Sequence, residues 1–554
     1  MKNNELRSVS SRSIRLRAML LLVGAVVLPQ GASAQGAPAT SGRTPDPAPS
    51  SAPLASAPTG ATPVSATAGA GPTGAAPSPA AAVTAKTAPS PQPPAPAAPN
   101  VTRRSGSFGG RRVAYEALVE ETIVPNGKGV PSAVFTSFAY VERRAKPDPS
   151  RPVLFAFNGG PGAAPIWMHF GLLGPRRIFF PDPVNPPTTA PFTIAANPHA
   201  PLDVAAGGRT RPTLAGYSRL PRGARAEAFP GGGRGAGAVA DFIRQWLTRH
   251  QRWNSPKYLI GESYGTIRAI AVAGELTGGV FPPRGSLGAV TLNGIAILGP
   301  SFMIGNPRIE GNDRNALTDL TAMAAAAWYH RRLSPQPATL EAAVEAARAF
   351  ARDDYLRALN AGYLLDAAER ERIAARLGEL TGVPAAAWRD ANLRLGVPAF
   401  QSLLLRDRGL TIGAYDSRYV LPTRPTGNDP VLDDPAMGLY TPGYVVAFNE
   451  YLQRELGVRR EARYVTIAFT DVNFRWDYGS GPGIVLPRND TTDLAVVMRR
   501  NPALRLFVGT SYYDLNSTLG AAEHALAHSD IPRERLVLRP YVSGHMPYIG
   551  EDSA

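Results

Sequence analysis

The sequence predicts an α/β chain: a mostly parallel central sheet with helices on both faces, interrupted by a helical cap insert. Three observations carry this. Short apolar runs of strand length alternate with helical stretches between Val153 and Leu298. The stretch Gly261-Glu262-Ser263-Tyr264-Gly265 sits between the apolar run Tyr258–Ile260 and the helical run Ile267–Leu276. Strands become scarce from Ser301 to Pro435 and resume at Leu504.

Taken in order, residues 1–34 read as a secretory signal peptide. Lys2, Arg7, Arg12, Arg15 and Arg17 precede the apolar run Ala18–Leu28, and Ala32-Ser33-Ala34 offers a small-residue cleavage site. An uncleaved N-terminal anchor is the alternative. A secreted or periplasmic bacterial protein is expected, with no integral membrane span after signal cleavage. Residues 35–100 are almost all Ala, Pro, Ser, Thr and Gly, too little apolar bulk to offset the entropy of ordering, so a disordered tether is expected.

The sheet-bearing core is expected over 101–300 and 436–554, with the cap insert over 301–435 between them. Arg112–Val124 and Ser132–Glu142 alternate apolar and polar residues around Pro125-Asn126-Gly127, a hairpin pattern. Pro152–Phe157 is continuously apolar, as a buried parallel strand is, and runs into Asn158-Gly159-Gly160-Pro161-Gly162. Gly237–Arg249 places Val239, Phe242, Ile243, Trp246 and Leu247 on one helix side. Ala289–Leu298 is the next buried strand. In the insert, Leu340–Leu356 and Leu364–Leu377 are Ala- and Arg-rich helical stretches, read as lying over the site; a second lobe with no part in binding is the alternative. Leu504–Thr510, a helix at Gly520–His528 and a strand at Arg535–Arg539 close the chain.

Composition excludes several classes. With no cysteine, no thiol can serve as nucleophile or metal ligand. The formal net charge of +15 comes from scattered arginines without a basic run interleaved with aromatics, so no nucleic-acid partner is expected. Neither cofactor nor metal is expected; His524 and His528, four apart on a helix, lack a third ligand nearby. The oligomeric state is not legible.

The chemistry centres on the G-x-S-x-G turn. Between strand and helix it is a nucleophile elbow, where the glycines permit a tight turn that lifts Ser263 off the sheet and points the Tyr264 amide at a developing oxyanion. A base and an acid should follow in the chain. His545 lies in a loop after the last strand, and Asp514 follows a buried strand; Asp471 and Asp477 are rival acids in a more polar loop. Glu262, beside the nucleophile, is unusual for a simple esterase. In an enclosed site its pKa should rise, so that it stays protonated and donates to a substrate carboxylate.

Four motifs in one order, Asn158-Gly159-Gly160-Pro161-Gly162, Gly261–Gly265, Tyr513-Asp514 and Gly544-His545-Met546, resemble the serine carboxypeptidase family of α/β hydrolases across about Val113 to Tyr548. The resemblance implies Ser263 as nucleophile, His545 as base and Asp514 as orienting acid. It implies an oxyanion hole from the Gly160 and Tyr264 amides, and Asn158 and Glu262 as partners of a peptide's C-terminal carboxylate. It thus implies a serine-type carboxypeptidase with peptide substrates. An esterase or acyltransferase on the same scaffold, or a catalytically impaired peptide binder, are the alternatives.

Two departures stand out. Leu172 occupies the place of a second family glutamate, with Arg176 and Arg177 as substitute carboxylate binders or plain surface residues. In addition, Ala206–Ala215 and Pro230–Gly235 switch to Gly, Arg, Pro and Thr where an apolar strand is expected. Two compensating frame shifts in a GC-rich gene would write such segments; a surface loop is the alternative.

Overall fold

A computed structural model describes residues 95–125, 131–146, 148–209, 215–220, 233–279, 289–304, 313–423, 431–468 and 488–549. The signal-peptide and tether assignments up to residue 94, the turn at Asn126-Gly127 and the rival acids Asp471 and Asp477 lie outside the described residues, as do 210–214 and 221–232.

Among the described residues, the fold is built on a nine-stranded sheet of order β1-β2-β3-β7-β4-β8-β9-β14-β15. The strands β1 (Asn100–Phe108), β2 (Arg111–Pro125) and β3 (Pro131–Glu142) form an antiparallel meander. β4 (Val153–Phe157) pairs parallel with β7 (Ala206–Arg209) on one side and with β8 (Lys257–Ser263) on the other. Then follow, also parallel, β9 (Gly294–Pro300), β14 (Arg505–Ser511) and β15 (Leu536–Tyr541). Three two-stranded pairs stand apart: β5 (Arg176–Phe179) with β6 (Thr193–Ala196), β10 (Met303–Ile304) with β13 (Arg488–Asn489), and β11 (Leu410–Ile412) with β12 (Val420–Pro422). With a strand–turn–helix elbow at Ser263 on the central strand β8, this is an α/β-hydrolase fold.

Why the strands read as unbroken apolar runs follows from burial on both faces. Leu154 and Ala156 of β4 and Tyr258 and Ile260 of β8 enter one hydrophobic cluster. Their alternates Val153, Phe155, Phe157 and Leu259 enter another. The second cluster is covered by α2 (Gly233–Arg249), α3 (Gly265–Leu276), α11 (Asp490–Arg500) and α12 (Leu519–Ala527). The first is covered by the short helix α1 (Ile166–Met168) and by α10 (Pro435–Glu450), whose Tyr440, Tyr444 and Phe448 pack around Trp167 and His169.

At Ala206–Arg209, where the sequence switches to Gly and Arg in place of an apolar strand, the backbone nonetheless forms the short strand β7. Its backbone pairs Gly208 with Ala139 on one side and with Phe155 on the other. Two flanking strands thus impose a conformation that local propensity disfavours. Gly233 to Gly235 of the second aberrant stretch open α2. β1 was not expected as a strand; it pairs with β2 from Asn100 onward, and the Ala97 amide donates to Glu121 Oε2 at 2.6 Å, so the chain is fixed slightly before the expected end of the tether.

Between β10 and α10 the insert comprises α4 (Arg314–Tyr329), α5 (Leu340–Arg352), α6 (Asp354–Ala361), α7 (Ala367–Thr381), α8 (Ala385–Asp390) and α9 (Val397–Leu403), with the β11–β12 hairpin. The single helix expected over Leu340–Leu356 is two, broken at Asp353 (φ −125°, ψ −97°). Thr339 and Asp366 cap α5 and α7 by accepting from the Ala342 and Glu369 amides. The insert has a hydrophobic core of its own, which includes Leu515 from the loop after β14.

Among the described residues, no helix is long and apolar enough to cross a membrane.

Candidate active site

The elbow is dictated by sterics. Ser263 ends β8 with φ +56°, a left-handed conformation costly for a residue with a side chain. A Cβ on Gly261 would sit 2.1 Å from the Gly265 carbonyl oxygen, and one on Gly265 would sit 2.2 Å from that of Phe157. Glycine is therefore obligatory at both positions. Gly159, at the end of β4, is equally constrained, since its Cβ would lie 2.7 Å from Ser263 Cβ. The two loops thus close on each other, bringing Gly160 and Tyr264, the expected oxyanion-hole residues, into one cavity with Ser263.

His545 and Asp514, the expected base and acid, meet from the loops that follow β15 and β14. His545 Nδ1 lies 2.8 Å from Asp514 Oδ2, and both side chains are buried. The Asn516 and Ser517 amides donate to the other carboxylate oxygen, Oδ1, at 2.8 and 2.9 Å, which fixes the carboxylate plane. Burial depresses the His545 pKa, but the Asp514 charge and hydrogen bond, with Glu262 and Asp434 behind, leave it raised above its ordinary value. His545 Nε2 is buried without a hydrogen-bond partner, and His545 and Ser263 line the same cavity. Gly299, with φ +51°, makes room for His545: a Cβ there would be 2.8 Å from the His545 carbonyl oxygen and 3.2 Å from its ring.

Glu262 is 3% exposed. Burial pushes its pKa up to about 7, against the opposing pull of Tyr548, His545 and Asn158. The Asn158 side-chain amide donates a short hydrogen bond to Oε2, whereas Oε1 has no partner. The Tyr548 hydroxyl faces Glu262 closely enough to favour its ionised form, though without a hydrogen bond of normal geometry. Buried polar atoms left without partners each cost about 1–3 kcal/mol. Glu262 and His545 each carry such an atom, and both residues line the cavity.

The cavity holds about 350 Å³. Besides the residues above, its wall includes Trp167, Met437 and Ile467, and Ala414, Tyr415 and Val431 from the insert. Leu172 is buried in the apolar cluster and supplies no second carboxyl. Neither Arg176 nor Arg177 lines the cavity; Arg176 Nε is paired with Glu455 Oε1 at 2.8 Å. His524 and His528 lie at the end of α12, where His528 Nδ1 meets the His524 carbonyl at 2.8 Å. No group of side chains suited to a metal ion occurs among the described residues.

Sequence reasoning did not single out Tyr548, Tyr415 or Gly299. Tyr548 stands two residues after the Gly544-His545-Met546 motif. Tyr415 and Gly299 carry no local signal, because their roles arise from contacts with residues more than a hundred positions away.

No family model matches the chain, and no curated protein matches it. Among solved structures, the chain is similar to a prohormone-processing carboxypeptidase from Saccharomyces cerevisiae, with 11% identity over 78% of this chain and 89% of that one and a TM-score of 0.48. It is also similar to an α/β-hydrolase fold protein from Chitinophaga pinensis (10% identity, 77% and 91% covered, TM-score 0.29). A third is the juvenile hormone epoxide hydrolase of the silkworm Bombyx mori (13% identity, 79% and 76% covered, TM-score 0.31). At these scores the likenesses say nothing about the reaction; the fold is defined by the sheet order and the elbow themselves.

Proposed function

We propose that this α/β hydrolase is a serine-type peptidase that removes residues from the C-terminus of peptides. The observation that carries the reading is Glu262: a buried carboxyl next to the elbow serine, in the wall of the cavity, with its pKa pushed up to about 7 and one oxygen without a hydrogen bond of normal geometry. Because Oε2 accepts from Asn158, the proton of the neutral acid belongs on Oε1. Protonated Oε1 donates to one oxygen of a substrate's terminal carboxylate, and the approach of that negative charge raises the pKa further.

With the C-terminus held there, the last peptide carbonyl lies at Ser263. Ser263 Oγ adds to the carbonyl carbon while His545 Nε2 takes its proton, and Asp514 stabilises the imidazolium. The Gly160 and Tyr264 amides receive the oxyanion. Collapse breaks the C–N bond, and His545 returns the proton to the leaving amine. Water then adds to the acyl-enzyme with His545 again as base, releasing the shortened peptide and restoring Ser263.

Leu172 favours a second reading, an esterase or acyltransferase, since the carboxylate-binding network has one carboxyl fewer than the serine carboxypeptidase pattern implies. The test has two stages. A fluorophosphonate probe should label Ser263. A panel of free peptides, C-terminally amidated peptides and simple esters should then show faster cleavage of free peptides at acidic pH. Equal cleavage of free and amidated peptides would leave a general hydrolase. Secretion through the N-terminal signal belongs to the same proposal, and the mature N-terminus of exported protein tests it.

A further inference from the structure

The loop joining β11 to β12, Gly413–Tyr419, belongs to the insert, yet it touches both loops that carry the acid–base pair. The Ser417 amide donates to the Tyr513 carbonyl at 2.9 Å, and the Leu515 amide donates to the Ala414 carbonyl at 2.9 Å. Asp514 is therefore tied to this loop on both sides. The His545 amide donates to the Tyr415 carbonyl at 2.6 Å, and the Tyr415 ring meets the imidazole edge-on at 5.2 Å. Gly544 exists to let this contact form, since a Cβ there would be 2.4 Å from Asp416 Cβ.

The loop's own shape is set by one buried ion pair. Arg418 Nε and Nη2 donate to Asp416 Oδ1 and Oδ2 at 2.9 and 2.6 Å, and the Arg418 amide also reaches Oδ1 at 3.1 Å. The guanidinium lies 5.1 Å over the Tyr513 ring, and Nη1 donates to the Val542 carbonyl at 3.3 Å. One arginine thus contacts the residue before the acid and the strand end that leads to the base. Behind the loop, His330 Nε2 meets the Ser417 carbonyl at 2.7 Å, and the Ala414 amide donates to Asp434 at 2.5 Å.

The geometry points to Asp416 and Arg418 as positioning residues for catalysis: their bidentate pair holds the insert loop in the form from which Asp514 and His545 are jointly suspended. Neither needs to touch substrate. Loss of the fork would let the Asp514–His545 unit shift against Ser263, and a misplacement of about 1 Å costs about 100-fold in rate. The inference rests on the serine-hydrolase reading above.

The test uses the full chain and a fluorophosphonate, with the limiting labelling rate and the half-saturating probe concentration measured separately. The double variant Asp416→Asn/Arg418→Gln removes both charges together, because a single neutralisation strands a buried charge. Its limiting rate should fall about 10- to 100-fold while half-saturation changes less than about 3-fold. Arg418→Lys keeps the charge but not the fork, so it should show the same split and decides the matter if the double variant does not fold. Arg394→Gln, which breaks the Arg394–Asp313 pair elsewhere in the insert (2.6 Å), serves as the stability control and should label at the wild-type rate. A rate within about 2-fold of wild type in the folded double variant, or an equal fall in the Arg394 control, overturns the inference. Failure of the wild-type protein to label at all overturns the serine-hydrolase reading instead.

Discussion

Two glutamates are buried in this molecule to nearly the same degree and behave in opposite ways. Glu121, on β2, is 6% exposed; Glu262, at the elbow, is 3% exposed. Glu121 accepts from Arg219 and Arg460, both at 2.6 Å, and from the Ala97 amide, and these partners outweigh burial and bring its pKa down to about 2. Glu262 has no cationic partner beyond His545 nearby, and burial takes its pKa up to about 7. Burial alone therefore does not distinguish a structural carboxyl from a functional one. What differs is completeness: Glu121 bonds through both oxygens, whereas one oxygen of Glu262 has no hydrogen bond of normal geometry.

The comparison has functional meaning only if the elbow region is catalytic, and the largest expected effects test that. Ser263→Ala and His545→Ala should each lower kcat by about 10⁴-fold or more, because the triad acts as a unit. Asp514→Asn should cost nearly as much by holding the imidazole in the wrong tautomer. Near-normal turnover in His545→Ala with loss in His524→Ala would break the assignment.

A smaller effect sharpens the contrast through pH. Glu262's pKa is raised in the folded state, so its neutral form favours folding. That contribution is complete below about pH 4.5 and is lost as pH rises through about 7, a difference on the order of 3 kcal/mol. The preference for free over amidated peptides should fade across the same window. Glu262→Gln should flatten both profiles; denaturant melts and cleavage ratios between pH 4 and 8 measure them. A wild-type preference that strengthens with rising pH would contradict the proposed proton on Oε1.

The smallest expected effect on activity belongs to Glu121. With a depressed pKa, it stabilises the fold above its ordinary value near 4.5, and this stability is lost as pH falls toward about 2. Glu121→Gln should lower the melting temperature at neutral pH and leave kcat within about 2-fold. A large fall in turnover would mean that the two regions are coupled.

How much of this was legible follows from the reach of each interaction. The elbow reads from sequence because part of its constraint is local: a Cβ on Gly261 would strike the Gly265 carbonyl four residues on, whereas the clash that fixes Gly265 itself is with distant Phe157. The β2–β3 hairpin and the strand β4 read from period and burial for the same reason. Asp514 and His545 were found by chain order and now lie 2.8 Å apart. β7 was missed because its four residues have no strand propensity and take their form from β3 and β4. The insert's hold on the acid–base loops was missed because Tyr415 and Arg418 meet partners about a hundred or more positions away, which no spacing rule encodes.

Leu515 directly follows the acid in sequence, yet its side chain is part of the insert's hydrophobic core, and Tyr513 packs with Ala325, Leu340 and Val344. Heat inactivation should accordingly follow the insert rather than the sheet. Partial opening of the insert, well below the temperature at which β4, β8 and β9 separate, would release the residues on either side of Asp514 and silence the enzyme while most of its secondary structure persists. Residual activity after brief heating would then report on the local stability of six helices and a hairpin, and a calorimetric midpoint dominated by the sheet would overstate the enzyme's working range.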